Sequence, residues 1–294
     1  MGCYPDLSNH LLEEKAMKQL IISTLLLLSC VVMPPSVPAF DLNTMMMQST
    51  CKITGPGSLG TGFVMAKPDT NSTRGLGFYV LITADHVLQG IQGETAVLVL
   101  RQPASSNSWK RVEVPLRIRN GATLLWKKHP DVDVAAMFIS LPPHTVERPV
   151  PTTFLADDEI LEKYEFHPGI ELLCLGYPFG AEANAYGFPI LRSGRIASYP
   201  LTPTKDNRTF LFDFTVFRGN SGGHVYVVRE NAIYDGGMHA GVIQCVVGLV
   251  SQERSITQTT QELYEKRETT TPLRLGEVVH ASFIKDLVQR GVSP

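Results

Sequence analysis

Along much of the chain, apolar and polar residues alternate with a period of two. Between Lys110 and Asn120 the apolar Val112, Val114, Leu116 and Ile118 are interleaved with Arg111, Glu113, Pro115, Arg117 and Arg119. That is the pattern of a strand with one buried face, and Pro115, which donates no ladder hydrogen bond, suits a sheet edge. Similar or more continuous apolar runs recur at 60–65, 77–83, 94–100, 133–140, 170–178, 209–217, 224–229 and 241–251. Many short strands with turn residues between them predict a barrel or a sandwich. A Pro-rich and then acidic stretch, 141–166, divides the strands into two groups and reads as an inter-domain connection. Residues 252–272 are polar and Thr-rich with little periodicity, which predicts a long surface loop. Near the end Ser282 is placed to cap a short helix whose Phe283, Ile284, Leu287 and Val288 share one face, with Gly291 as its stop.

Composition agrees with this picture. At 294 residues and 44% hydrophobic the chain can build one large or two ordinary cores, and 24 Gly and 20 Pro with only 18% charged residues lean towards turn-rich β structure. A net charge of −2 offers no electrostatic footprint for nucleic acid. Leu20–Met33 is apolar, follows Lys15 and Lys18, and precedes the small residues Val37 and Ala39. This reads as a secretory signal over 1–39, with Met17 an alternative start, and it is shorter than the ~18 residues of a spanning helix. The expected location is therefore secreted or periplasmic, without stable membrane insertion after cleavage. Lipid attachment at Cys30 or Gly2 is the alternative. Downstream only Cys51, Cys174 and Cys245 remain, so no disulfide framework is expected. No CxxC or HExxH occurs, and neither a metal nor a cofactor is expected.

Candidate chemistry lies in three places. His86 ends an apolar strand in Leu81–Val87. Asp131 and Asp133 stand two apart at the start of another. Ser221 sits among glycines in Arg218–Gly223, where backbone N–H groups can approach a reacting carbonyl without a Cβ in the way. Each alone has a plain alternative: a structural histidine, a polar strand start, a turn or anion-binding nest.

Together, the order His, Asp, Ser with spacings of 47 and 88 residues resembles the chymotrypsin-like serine proteases. The Gly-rich run 60–65 looks like that family's strand before the histidine, and Val247–Ser251 like its substrate-binding strand after the serine. Closer still is the resemblance to the high-temperature-requirement (Deg-type) protease domain, carried by Gly176–Gly180, Ser193–Ile196, Asp213 ahead of the nucleophile loop, and the terminal Val278–Val288. Two features depart from that pattern: 43 residues follow Ser251, too few for a PDZ domain, and Asp85 stands where Ala or Asn is usual.

The resemblance implies an all-β fold of two six-stranded antiparallel Greek-key barrels, 40–150 carrying His86 and Asp133 and 151–281 carrying Ser221. The active site would lie between them, with a short helix and tail over 282–294. It implies a secreted endopeptidase acting on protein or peptide substrates, with Ser221 as nucleophile, His86 as base and Asp133 as its orienting partner. Asp133 rather than Asp131 takes that role because it directly precedes the Val-Ala step. The N–H groups of Gly219 and Ser221 would form the oxyanion hole, and Thr215, Val216, Val250 and Ser251 would bind substrate. Neither Thr215 nor Val216 is acidic, which implies cleavage after an uncharged residue. The neutral Asn220 implies competence without a newly cut N-terminal amine. The alternative is a catalytically silent binding module of the same fold.

Overall fold

The computed structural model describes residues 42–68, 77–105, 108–146, 148–261 and 266–291; the readings of the signal segment, Met17 and Cys30 lie outside them. The alternating runs of the first half are strands: β1 (Thr50–Gly55), β2 (Ser58–Pro68), β3 (Gly77–Thr83), β4 (Thr95–Ser105) and β5 (Ser108–Arg117). They continue as the two-residue β6 (Arg119–Asn120), β7 (Thr123–Leu124) and β8 (Lys127–Lys128), then β9 (Ala135–Ile139) and β10 (Val150–Pro151). Side by side in space they run β5-β4-β1-β2-β3-β9-β8, with β10 pairing parallel to β2. The main sheet of this half thus carries eight strands rather than six, with β6 and β7 paired apart from it, and among the described residues its path has two ends. The additions are the two-residue strands β8 and β10. β5 is an edge strand, which is why its Pro115 is tolerated.

In the second half, β11 (Glu171–Gly176), β12 (Ile190–Ile196), β13 (Thr209–Asp213) and β14 (His224–Glu230) are followed by a small hairpin, β15 (Ile233–Tyr234) with β16 (Gly237–Met238). The long strands β17 (Val242–Gln261) and β18 (Lys266–His280) complete it. Six of these close a barrel in the order β11-β12-β13-β18-β17-β14. Its interior holds Phe210, Phe212, Val225, Val227, Val247 and Val278. On β17, Val246 and Leu249 face outward instead and join the core of the first sheet, built around Phe63, Leu81 and Leu98. Burial on both faces explains why this stretch reads as continuously apolar rather than alternating.

The segment 252–272, expected as a loop, is a β-ribbon: β17 and β18 pair from Gly248↔His280 out to Gln261↔Lys266. Its described side chains beyond Arg254 are exposed. With both faces in water no apolar alternation is needed, and the β-branched threonines supply the strand preference, Thr257 and Thr270 hydroxyls lying 3.0 Å apart across the ribbon.

Among the described residues four short α-helices accompany the strands. The first, α1 (Leu42–Ser49), buries Leu42, Met45 and Met46. Its C-terminal carbonyls receive Arg101, only 1% exposed, whose Nη2 donates to Met47 O (3.3 Å), Gln48 O (2.9 Å) and also Thr50 O. The second, α2 (Asp85–Gln89), follows β3 directly. The third, α3 (Asp158–Lys163), lies inside the expected connection and is capped by Asp157, whose carboxylate accepts from Ile160 N–H at 3.1 Å. The fourth, α4 (Ala281–Asp286), continues through a π-helical turn, Leu287–Gly291. Ser282 does not cap it. β18 runs straight into the helix, so the N-cap position falls on His280 and Ser282 is already within the first turn, its hydroxyl 3.0 Å from Thr204 Oγ1. Ile284, Leu287 and Val288 are buried against the first sheet and Phe283 half-buried beside them. Among the described residues no helix is long and apolar enough to cross a membrane.

Candidate active site

His86 is the second residue of α2, presented where β3 ends, and its side chain is 51% exposed. Asp133 precedes β9, the neighbour of β3, and meets it there. One carboxylate oxygen accepts the His86 backbone N–H (3.0 Å); the other lies 2.7 Å from His86 Nδ1 and accepts the Ser251 hydroxyl at 2.7 Å. Burial pushes the Asp133 carboxyl up, but the hydrogen bonds from His86 and Ser251, with the nearby imidazole charge, hold it below the ordinary carboxylate range. An ionised Asp133 requires the proton on Nδ1, which leaves Nε2 as a base. Asp131 pairs instead with Arg208, its Oδ1 3.6 Å from Arg208 Nη1, both side chains half in water.

Ser221 lies in the loop between β13 and β14. Three ties shape that loop. Phe179 N–H donates to Arg218 O (2.6 Å), Thr61 Oγ1 to Gly219 O (2.6 Å), and Thr61 N–H to Ser221 O (2.9 Å). With these carbonyls held, the N–H of Gly219 points to the opposite side of its trans peptide from Arg218 O. Gly219 has φ +99°, and a Cβ there would lie 2.2 Å from Tyr177 O. Gly222, at φ +83°, would place one 2.1 Å from Thr61 O. The glycines beside the serine are thus required by close backbone approach. Asn220 is buried with its Oδ1 unpartnered among the described residues.

His86, Asp133 and Ser221 line one cleft of about 740 Å³ whose other walls include Val216, Gln252 and Glu277. Among the described residues no hydrogen bond joins Ser221 Oγ to His86, though both line the cleft. Of the expected substrate-binding residues, Val216 and Ser251 line the cleft. Thr215 offers its carbonyl to Arg192, and the Val250 side chain is fully buried in the barrel interior. No family model matches the chain, and no curated protein does. Solved structures similar to the chain include two inactive forms of Rv3671c from M. tuberculosis H37Rv: a serine-to-alanine mutant (TM-score 0.43) and a second inactive form of this protease (0.41). Each is 18% identical and covers 88% of this chain and 97% of its own.

Several contacts were not anticipated from the sequence. Asp85, the departure from the Deg-type pattern, accepts from Trp126 Nε1 (2.8 Å) and Gln89 Nε2 (2.5 Å), anchoring the helix that bears His86. Glu277 brings a carboxylate to the cleft, already engaged by Thr209, Gln252 and Arg254. Asp85 stands out in the sequence only as a departure and Glu277 not at all, because what matters is a partner elsewhere along the chain. Among the described residues no group of three or more His, Cys, Asp or Glu is placed to hold a metal ion. Cys51, Cys174 and Cys245 are buried and free, and burial pushes each thiol up to about 12.

Proposed function

We propose that this protein is a serine endopeptidase. The observation that carries the reading is the triple hold on Asp133, which fixes the His86 ring with Nε2 free in the cleft that Ser221 lines. Ser221 Oγ attacks the peptide carbonyl carbon while its proton passes to His86 Nε2. Asp133 steadies the resulting imidazolium. The tetrahedral oxyanion is met by the N–H groups of Gly219 and Ser221. As the C–N bond breaks, His86 returns the proton to the leaving amine. Water then repeats the sequence on the acyl-enzyme, and the carboxylic product leaves.

Support for a Deg-type domain comes from the Gly176–Gly180 turn, which holds the nucleophile loop through Phe179 N–H. In this reading residues 1–39 are an export signal, and mass spectrometry of the mature N-terminus should find Phe40.

A fluorophosphonate reagent tests the chemistry. The expected result is an adduct on Ser221 that is lost in Ser221→Ala and strongly slowed in His86→Ala. A folded protein that never labels would instead be a silent binding module. Two of the cleft residues support an uncharged preference: Val216 is uncharged, and the Glu277 charge is met by Arg254. Profiling on a peptide library should show cleavage after small or medium apolar residues, and dominant cleavage after Lys or Arg would overturn this assignment.

A further inference from the structure

We infer that Arg192 is a positioning residue for the nucleophile loop, fixing the backbone donors of Gly219 and Ser221 from the barrel wall. The inference rests on the peptidase reading for its catalytic consequence, though not for its structural one. Arg192 stands on β12, opposite Cys174 of β11, well before the loop in sequence. Its Nη1 donates to Thr215 O at 2.7 Å. Its guanidinium lies over two rings of the loop, 4.2 Å from the centre of Phe214 and 5.2 Å from that of Phe217. A cation attracted to both rings resists rotation of either.

The stack is continuous with rigid structure at one end and with the reacting loop at the other. Inward, Phe214 stacks on the fully buried Phe212, centres 5.0 Å apart and planes within 8°. Outward, Phe217 meets Phe179 at 5.2 Å. Phe179 is 73% exposed and sits at φ +52°, a conformation costly for a non-glycine residue. What that conformation secures is the bond from its N–H to Arg218 O, whose peptide carries the Gly219 N–H. Phe217 O in turn accepts from Asn220 N–H at 2.9 Å. Arg192 therefore grips the segment Phe214–Phe217 at three points, immediately before the residues whose N–H groups face the oxyanion.

The test compares Arg192→Ala, Arg192→Lys and, as a control, Arg195→Ala, an exposed arginine of the same strand. Arg192→Ala should lower kcat by ~10–100-fold, approaching the loss of one oxyanion donor, with KM changed less than about twofold. Millimolar methylguanidinium should restore part of it. Arg192→Lys, which reaches Thr215 O but lacks the planar face, should be intermediate at unchanged Tm; it decides the matter if the alanine variant does not fold. Wild-type kcat in Arg192→Lys and Arg192→Ala, or an equal loss in Arg195→Ala, would overturn the inference. Hydrogen exchange of the Thr215–Ser221 amides needs no turnover and should accelerate at least about tenfold in Arg192→Ala. Unchanged exchange overturns the positioning role even if the wild type is active. Accelerated exchange in a wild type that takes no fluorophosphonate keeps the positioning role and retires the peptidase reading.

Discussion

At the scale of single residues, the site depends on positions where almost nothing else fits. Gly219 combines a left-handed φ with a Cβ position 2.2 Å from Tyr177 O. Gly219→Ala is expected to shift the 218–219 peptide and cut kcat by about 10²–10³, with KM little changed, in a steady-state assay on a peptide substrate. Two buried histidines make a separate prediction. Burial pushes His224 down to about 3, and pushes His280 down to about 4 despite the opposing pull of the Asp158 carboxylate. Free imidazole takes up a proton near pH 6.5. Between that pH and about 4 the unfolded chain binds protons that the folded protein does not, so stability falls as pH falls, by about 1.4 kcal/mol per pH unit for each histidine. Asp133, held low by His86 and Ser251, adds its own loss only as the pH falls through the carboxylate range. Urea unfolding from pH 7 to 4 should show this slope, and His224→Phe should roughly halve it.

At the scale of elements, legibility followed whether an element buries one face. β5 was visible because Val114 and Leu116 are buried while Glu113, Pro115 and Arg117 are exposed. The β17–β18 ribbon was hidden because neither face is buried. It has an expected consequence: replacing Ser255–Pro272, whose ends are cross-strand partners, by a two-residue turn should change stability by less than about 1 kcal/mol. Differential scanning calorimetry would reveal a larger drop if the ribbon packed on anything. α1 escaped notice because three consecutive methionines carry no helical period, and its decisive partner, the buried Arg101, lies half a sheet away in sequence. α3 was not read from the sequence, because its Asp157 cap follows a Pro-rich stretch that argues for a connection. His86, Asp133 and Ser221, which line one cleft, stood out because each motif is local. The contacts of Arg192 and Asp85 did not, since they exist only once strands and helices have assembled.

At the scale of the molecule, the barrel keeps its own interior but helps to build the other half's core: Val246, Leu249 and Val279 of the barrel and Ile284 and Val288 beyond it belong to the core of the first sheet. The strap through β10 and the bridge Leu155↔Val246 tie the same surfaces by backbone. Loss of either half strips apolar cover from the other, so the halves should unfold together. Fluorescence of Trp109 and Trp126, both in the first half, should trace the same urea transition as far-ultraviolet circular dichroism; two separated midpoints would show independent halves.

The three sealed thiols turn that cooperativity into something that can be timed. Cys51 lies on β1, and Cys174 and Cys245 lie in the barrel, each inaccessible while the fold is closed. A maleimide in the solvent reaches them only when the chain opens, so the rate at which each sulfur is alkylated is a clock for the opening that uncovers it. Peptide mapping separates these sulfurs from Cys3 and Cys30. Equal rates at all three would mean that the molecule breathes only by opening as a whole. A faster Cys51 would mark the first sheet, which also carries His86 and Asp133, as the half that loosens first.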